Sequence, residues 1–246
     1  CKHDRPKTGK ITCRVKNEFL KRRAKSCLVW LCVNILISFH RVFTLIRIRL
    51  LMSFPKRADF RLDEEFVDAL LVEIDRLGAD WRYDEEVTQL EHAIQSAGLA
   101  RQNGDSSVEI TAALLHDIGH FLMAHAAQDE RHKDRDLKHE EVGANWLDQY
   151  FLPEVAEPVR LHVPAKRYLC KTRVGYWDDL SQGSKISLEK QGGPMTQGEA
   201  NAFEALPSHN SAVKLRLYDD EAKVIDMVTP PISDFAKEVI NSLNAR

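Results

Sequence analysis

The chain has 246 residues, of which 43% are hydrophobic and 29% charged, a composition that suits one globular domain with or without an appendage. Its net charge of −2 conceals an asymmetry, because residues 1–51 hold 13 of the 35 Lys and Arg but only 2 of the 37 Asp and Glu. Residues 52–246 are therefore acidic, and their single cysteine, Cys170, excludes a disulfide framework there. An acidic, reduced domain argues against a nucleic-acid partner and predicts a cytoplasmic protein with a small-molecule substrate.

Residues 1–51 form a basic and apolar segment that we predict to lie outside the functional domain. Met52 is the first methionine of the chain, and a helical pattern begins soon after it, so the segment could be translated sequence from upstream of the true start. The alternative is a basic segment with a short membrane anchor in the apolar run Cys27–Phe39, although that run is short for a span and a basic pair follows it. The functional domain is predicted over residues 52–246.

The hydrophobic spacing of this domain predicts a series of helices. The first is predicted over Arg61–Leu77, ending at Gly78, because apolar residues recur there every three or four positions. Later helices are predicted, in chain order, over Val87–Arg101, from the capping box Ser106–Glu109 through His116 and Asp117, over Lys138–Tyr150, from Pro153 to a stop at Pro164, from Thr196 through Leu206, over Ala212–Tyr218 and over Phe235–Leu243. The loop Ala124–Asp136 is predicted to be a flexible lid. No segment alternates as a strand would, which predicts a single all-α helical bundle.

The most informative feature is the adjacent pair His116 and Asp117 within an otherwise apolar run. Burying an imidazole and a carboxylate together costs free energy unless something compensates for their desolvation. A metal ion compensates directly, because both groups are good metal ligands. On a helix the two side chains would point about 100° apart, so they could share one ion while Asp117 reaches a second. His120 follows His116 by one turn and would share its face.

Four further potential ligands lie on other predicted helices or directly after them. A lone histidine at a helix end is more often a cap or a surface residue than a ligand, so none of them predicts a metal by itself. Once the pair at 116 and 117 is accepted as a metal site, metal ligation by these other residues is also better supported. They are His92, His139, His162 and Asp219.

The run Leu115–His120 resembles the signature of the HD-domain superfamily, whose members are mostly metal-dependent phosphohydrolases. Three more segments resemble the HD-domain di-iron oxygenases of organophosphonate breakdown, and the resemblance extends over residues 60–225. It implies O₂-dependent cleavage of the C–P bond of a 1-hydroxyphosphonate. The implied substrate is (R)-2-amino-1-hydroxyethylphosphonate, giving glycine and phosphate, or its N-trimethyl analogue, giving glycine betaine. The three segments are Tyr83–His92, His162–Leu169 and Gln191–Met195.

The resemblance also implies a cofactor of two Fe ions, mixed-valent Fe(II)/Fe(III), with O₂ as co-substrate. Asp117 would bridge the two ions. The first iron would also be held by His92, His116 and Asp219, and the second by His139 and His162. On the substrate side the resemblance implies contacts from His120, Lys166, Ser184, Ser187 and Gln191, with His120 and Lys166 also counted as catalytic.

A second implied catalytic pair is Tyr83 with Glu85, which would close over the vacant iron position and sense the substrate amine. Glu86 could take the place of Glu85, since the spacing differs by one residue from that of a relative. Both acids could instead simply complement the dipole at a helix start. The pattern therefore leaves the amine-sensing residue open, as it does the choice of 1-hydroxyphosphonate and the oligomeric state.

Two other functions are compatible with an HD signature. A metal-dependent phosphohydrolase or phosphodiesterase of the same superfamily would attack phosphorus with a metal-bound hydroxide and would consume no O₂. A non-catalytic HD domain would serve as a binding or signalling module, although an intact ligand set argues against it. A membrane partner is predicted only if residues 27–39 are a genuine anchor.

Overall fold

The computed structural model describes residues 54–82, 86–123 and 138–245. Within these ranges the chain forms eleven α-helices and two 3-10 helices, Arg57–Asp59 and Ile232–Phe235, and no β-strand, which confirms the predicted all-α fold. The predicted extension over residues 1–51 and the whole predicted lid, Ala124–Asp136, lie outside the described residues. The α-helices are α1 Asp63–Gly78, α2 Gln89–Gln102, α3 Ser107–Leu115, α4 Ile118–Leu122, α5 His139–Leu147, α6 Pro153–Thr172, α7 Tyr176–Asp179, α8 Gln182–Lys190, α9 Gln197–Glu204, α10 His209–Glu221 and α11 Ala236–Asn241.

Side-chain caps determine where several of these helices begin. Ser106 caps α3 and exchanges hydrogen bonds with Glu109, and Thr196 caps α9 in the same way, as their spacing predicts. Thr88 caps α2, because its hydroxyl accepts a hydrogen bond from the Glu91 backbone N–H at 3.1 Å. Each such cap is worth about 1 kcal/mol, so local sequence fixes the start of the helix that carries His92.

Helix α6 passes through Pro164, so the prediction that this proline ends the helix is wrong. Proline removes one backbone hydrogen bond and crowds the carbonyl four residues earlier. The helix nevertheless continues, because Val163, Ala165 and Leu169 on either side are buried against neighbouring helices. Packing outweighs the local penalty here, and one consequence is that residues before and after the proline share a single helix.

The pair His116 and Asp117 lies at a junction rather than within one helix. Helix α3 ends at Leu115, and α4 begins at Ile118 with Asp117 at φ −98° and ψ 11°. The prediction of one continuous helix through the pair is therefore wrong, and the 100° separation of helical neighbours does not apply. The break leaves both side chains free to point into the interior from a bend in the backbone.

Helix α10 is longer than the predicted span Ala212–Tyr218 and includes Asp219 in its last turn. Carboxylates are unfavourable near a helix C-terminus, where the helix dipole is negative. Arg216 offsets this cost because its guanidinium pairs with both Asp219 and Asp220. The acidic turn therefore stays helical, which places Asp219 on the same helix as Arg216.

The main core lies between α1, α2, α3, α5, α6 and α11. Its largest fully buried side chains include Phe66, Leu70, Leu115, Leu147, Phe151 and Phe235. Burying each such side chain contributes about 1.5–3 kcal/mol. Two smaller apolar clusters pack beside α6, so this helix is held on several sides. None of the helices in the described ranges combines the length and the apolar character that crossing a bilayer requires.

Candidate metal centre and anion pocket

Six predicted metal ligands converge from five parts of the fold. Helix α2 supplies His92, the junction supplies His116 and Asp117, and the rest come from α5, α6 and α10. His92 Nε2 lies 3.1 Å from His116 Nε2 and 3.3 Å from Asp219 Oδ1. These three side chains are buried, and their donor atoms are close enough to hold one ion. Two more of the six ligands, His139 on α5 and His162 on α6, form a second group, and their Nε2 atoms lie 3.1 Å apart.

Asp117 lies between the two groups of donors. Its Oδ2 is 3.6 Å from His116 Nε2 and 3.8 Å from His92 Nε2. Its other oxygen, Oδ1, is 3.5 Å from His139 Nε2 and 3.8 Å from His162 Nε2. A carboxylate with one oxygen toward each pair of imidazoles can bridge two ions, so the geometry suits the bridging role that the resemblance implies.

The hydrogen bonds of the histidines test whether a metal fits. The Nδ1 atoms of His92, His116 and His162 lie 2.8, 2.8 and 2.6 Å from the backbone carbonyls of Ala222, Ala113 and Val159. A carbonyl oxygen only accepts, so each Nδ1 must carry a proton, and in a neutral ring Nε2 then has a lone pair. In their neutral forms, His92 and His116 would face each other with two acceptor Nε2 atoms at 3.1 Å. A cation between them removes this repulsion, and backbone carbonyls are the usual partners of metal-binding imidazoles.

The protonation states also suit a metal. Burial lowers the pKa of His162 to about 4 and that of His139 well below its ordinary value, so both imidazoles are neutral near pH 7. Burial alone would raise the pKa of Asp117, yet the surrounding histidines, His116 foremost, hold it well below its usual range. Neutral His139 and His162 beside an ionised Asp117 are in the forms that bind metal ions.

His120 lies beside the second group of donors, although it shares no regular helix with His116. Its ring stacks on that of His139 with the centroids 4.1 Å apart, and its Nε2 is 3.9 Å from Asp117 Oδ1. Burial lowers its pKa, which favours the neutral ring. Asp117, His120 and His139 are close enough to bind an ion as a group of three. His162 Nε2 also points toward His139 and Asp117, so it is an alternative third ligand for that ion. The role of His120 as a substrate contact stays a prediction.

A cluster of cations and hydroxyls lies beside Asp219, and we call this cluster the anion pocket. Lys166 on α6 is 3% exposed, and its Nζ donates to Ser187 Oγ on α8 at 2.7 Å. Ser187 in turn donates to the backbone carbonyl of Ser184, whose own hydroxyl oxygen is 3.4 Å from Arg216 Nη2. The predicted contacts Lys166, Ser184 and Ser187 therefore lie together, beside the helix that carries Asp219.

Gln191 follows α8 directly, and its Oε1 is buried with no hydrogen-bond partner in the described part of the chain. The loop after it is tied to α6, since Arg167 donates to the carbonyl of Gly193 at 2.8 Å and to Glu199 at 2.8 Å. The predicted residues Tyr83 and Glu85 lie outside the described residues.

Two cations near the ligand Asp219 were not predicted from the sequence. Arg216 is 3% exposed, and its Nη1 donates to Asp219 Oδ2 at 2.5 Å. The Nζ of Lys223 lies 3.7 Å from Asp219 Oδ1. Burial would lower the pKa of Arg216, but Asp219 and Asp220 raise it well above its ordinary value. The only feature of the sequence that could have indicated them is their spacing, because Arg216 lies three residues before Asp219 and Lys223 four residues after it.

Comparison with known proteins agrees with this geometry. The family model of the HD domain matches residues 89–192. The chain is 48% identical to a hydroxymethylphosphonate dioxygenase of Gimesia maris over 161 residues, which is 65% of this chain and 80% of the relative. It is 41% identical to the glycine-betaine-forming [1-hydroxy-2-(trimethylamino)ethyl]phosphonate dioxygenase of Leisingera caerulea over 175 residues, 71% of this chain and 87% of the relative.

A more distant relative carries a different activity. The chain is 30% identical to a metal-dependent phosphohydrolase of Cordyceps militaris over 151 residues, which is 54% of this chain and 41% of that protein. Both dioxygenases match more strongly and over most of their length, and the HD-domain match includes the runs Leu115–His120 and His162–Leu169. The prediction drawn from those motifs is confirmed: the chain belongs to the family of HD-domain phosphonate dioxygenases.

Proposed function

We propose that the protein binds two Fe ions and uses O₂ to cleave the C–P bond of a 1-hydroxyphosphonate. The observation that carries the proposal is that two pairs of histidines lie on opposite sides of Asp117, next to the anion pocket. The first group is His92 with His116 and the second His139 with His162. An HD-domain hydrolase needs the metal site too, and the relatives named as phosphonate dioxygenases support the oxidative reaction over hydrolysis.

The reaction balances without a further reductant. Hydroxymethylphosphonate and one O₂ contain all the atoms of formate and phosphate, and 2-amino-1-hydroxyethylphosphonate and one O₂ contain those of glycine and phosphate. In both, C1 is oxidised to a carboxylate and phosphorus leaves as phosphate. When bound, a mixed-valent iron pair would supply the one-electron chemistry that activates O₂ and oxidises C1.

The chain's own residues bind and orient the substrate in this proposal. The ammonium of Lys166 and the hydroxyl of Ser187 bind phosphonate oxygens, because charge-assisted hydrogen bonds to an anion are stronger than neutral ones. The buried imidazoles are held by backbone carbonyls, so their donor atoms do not reorient when substrate enters. Burial of the site excludes water, and holding C1 near the metal centre lowers the entropic part of the barrier.

The deciding experiment measures phosphate released by the full-length, Fe(II)-loaded protein with and without O₂. The substrates are hydroxymethylphosphonate, (R)-2-amino-1-hydroxyethylphosphonate and its N-trimethyl analogue. We expect release only under O₂, with one carboxylate formed per phosphate. The His116→Ala variant is the control for adventitious iron. Release without O₂, or from a phosphomonoester or phosphodiester, would instead support the hydrolase.

The charge of Lys166 predicts how anion binding depends on pH. Burial, reinforced by the nearby Arg216, lowers the pKa of this lysine to about 7. The ammonium is present below that pH and is lost above it, so binding of a dianion should weaken as the pH rises. We use sulfate, whose charge is constant in this range, and expect its Kd to rise about tenfold per pH unit above about pH 8.

Calorimetric titration with sodium sulfate between pH 6 and 9 measures this dependence. The Lys166→Met variant should bind sulfate weakly at every pH. The Lys166→Arg variant keeps its charge throughout, and its sulfate affinity should vary little with pH. A dependence that persists in Lys166→Arg would assign the titrating proton to a different group.

A further inference from the structure

Three histidines of the metal centre face a backbone carbonyl with Nδ1, but the three carbonyls come from different parts of the chain. Those beside His116 and His162 belong to residues only three positions earlier in sequence. The carbonyl beside His92 belongs to Ala222, which is 130 residues away in sequence and 2.8 Å away in space. The orientation of His92 therefore depends on a tertiary contact, whereas the other two rings are held by their own stretch of chain.

Ala222 lies where the chain leaves α10, three residues after the ligand Asp219. We call residues 222–224 the exit segment. Ala222 is buried, but the side chain of Val224 is 53% exposed, so its packing contributes little to holding the segment. The Nζ of Lys223 lies 3.7 Å from Asp219 Oδ1, yet a long, flexible side chain does not fix the backbone from which it extends. The backbone of the segment needs a further anchor.

Gln95 on α2 supplies this anchor, and it is only 4% exposed. Its Nε2 donates to the carbonyl of Val224 and its Oε1 accepts from the Val224 N–H, both at 2.9 Å. One side-chain amide thus pairs with the donor and the acceptor of a single residue. Moving the exit segment would break both hydrogen bonds and leave the buried amide unpaired, which is costly.

His92 and Gln95 contact the exit segment from the same side of α2. Residues three apart on a helix are neighbours on its surface, and these two contact Ala222 and Val224, which are two apart. The Ala222 carbonyl holds a proton on His92 Nδ1, so in the neutral ring the lone pair is on Nε2. That Nε2 points at the ligand Asp219, whose Oδ1 is 3.3 Å away.

We propose that Gln95 is a positioning residue of the metal centre and acts on His92 through the Ala222 carbonyl. By fixing the exit segment, it keeps His92 in the tautomer and ring orientation that present Nε2 to the ion shared with His116. The inference rests on the metal ions of the proposed function, but not on its reaction. It concerns this first ion alone, because His162 at the second ion takes its carbonyl from its own helix.

The test measures Co(II) binding to the metal-free, full-length protein by calorimetry. Gln95→Leu keeps most of the side-chain volume but loses both hydrogen bonds to Val224. We expect it to bind one of two ions about 10–100-fold more weakly, the loss typical of residues that support a ligand, and the other ion unchanged. Gln102→Ala is the matched control and should bind both ions as the unchanged protein does, because Gln102 is an exposed glutamine on the same helix.

Two backgrounds identify the affected ion. The His139→Ala protein is expected to retain only the ion of His92 and His116, so adding Gln95→Leu should weaken that remaining ion by the same factor. In the His92→Ala protein, Gln95→Leu should have little further effect, because residues that act through one ligand are not additive. An undiminished effect of Gln95→Leu in the His92→Ala background overturns the proposal.

The exchange of imidazole protons separates positioning from a general loss of stability. It is followed by NMR in metal-free protein that contains isotope-labelled histidine. In Gln95→Leu the Nδ1 proton of His92 should exchange with water about tenfold faster, because its carbonyl partner is released by local opening. The Nδ1 protons of His116 and His162 should exchange as in the unchanged protein. Equal acceleration of all three contradicts a positioning role.

Thermal unfolding identifies a variant that has lost its fold. If Gln95→Leu is one, Gln95→Met replaces it, since methionine matches the length of glutamine and has no amide. Unchanged Co(II) affinity in a folded variant, or equal weakening of both ions, overturns the proposal. Weakened binding of one ion, together with no phosphate release by the unchanged protein, would retain this inference and reject the proposed reaction.

Discussion

Replacing Asp117 with alanine is expected to lower the bound iron from the two ions per chain that we propose to less than one. Within the described ranges, this carboxylate is the single group whose oxygens face both imidazole pairs, His92 with His116 and His139 with His162. Its loss removes a ligand from each ion and the negative charge between them. Phosphate release should fall by more than the 10–100-fold loss typical of residues that only support a ligand.

Iron content and O₂-dependent phosphate release measure this effect, with Asp68→Ala as a control because Asp68 is an exposed acid on α1. The contrast with His139→Ala or His162→Ala is informative, since each of these should leave one ion bound and still abolish oxidation. Two irons retained in Asp117→Ala would exclude the bridging role. Two irons retained in either histidine variant would remove that histidine from the ligand set.

A methyl group at Gly119 is expected to displace the second metal position. A Cβ at this residue would lie 1.9 Å from the backbone oxygen of His139 and 2.7 Å from its carbonyl carbon. These are backbone atoms, so α5 must move away from α4 as a unit and take the imidazole of His139 with it. The overpacking should cost about 1–3 kcal/mol and lower Tm by roughly 2–12 °C.

Thermal unfolding and iron content of Gly119→Ala measure the two effects together, and we expect one ion to remain in the group of His92 and His116. The matched control is Gly98→Ala in the interior of α2, where a Cβ would meet nothing within 4 Å. Alanine favours a helix over glycine by about 0.8–1.0 kcal/mol, so this control should be neutral or stabilising. Full second-site occupancy in Gly119→Ala would show that α5 can shift without moving His139.

The sequence was sufficient for the fold class and for the order of most helices. Hydrophobic periodicity and the capping boxes at Ser106 and Thr196 are local signals, and the structure contains the helices that they predict. Pro164 shows where local rules fail, because its penalty is offset by packing against helices distant in sequence. The break at Asp117 is a similar case, since nothing in the apolar run around it marks a helix end.

The candidate site was predictable only where the residues form a motif. The pair at 116 and 117 marks a metal site by itself, and the family resemblance supplied the other ligands. No motif identifies Arg216 or Lys223 as part of the site, because a cation near the end of an acidic helix usually lies in solvent. Their importance arises from Ser184 and Asp219, which approach them only in the folded chain.

The unbroken course of α6 fixes the separation between two parts of the candidate site. One helix carries His162 at the metal centre and, four residues later, Lys166 at the anion pocket, a rise of about 6 Å along the axis. Neither end can approach the other without breaking a helix packed on several sides. In the proposed reaction, this separation would set how far the phosphonate oxygens are held from the metal centre. A phosphonate with its hydroxyl one carbon further from phosphorus would then bind with the wrong carbon presented for oxidation.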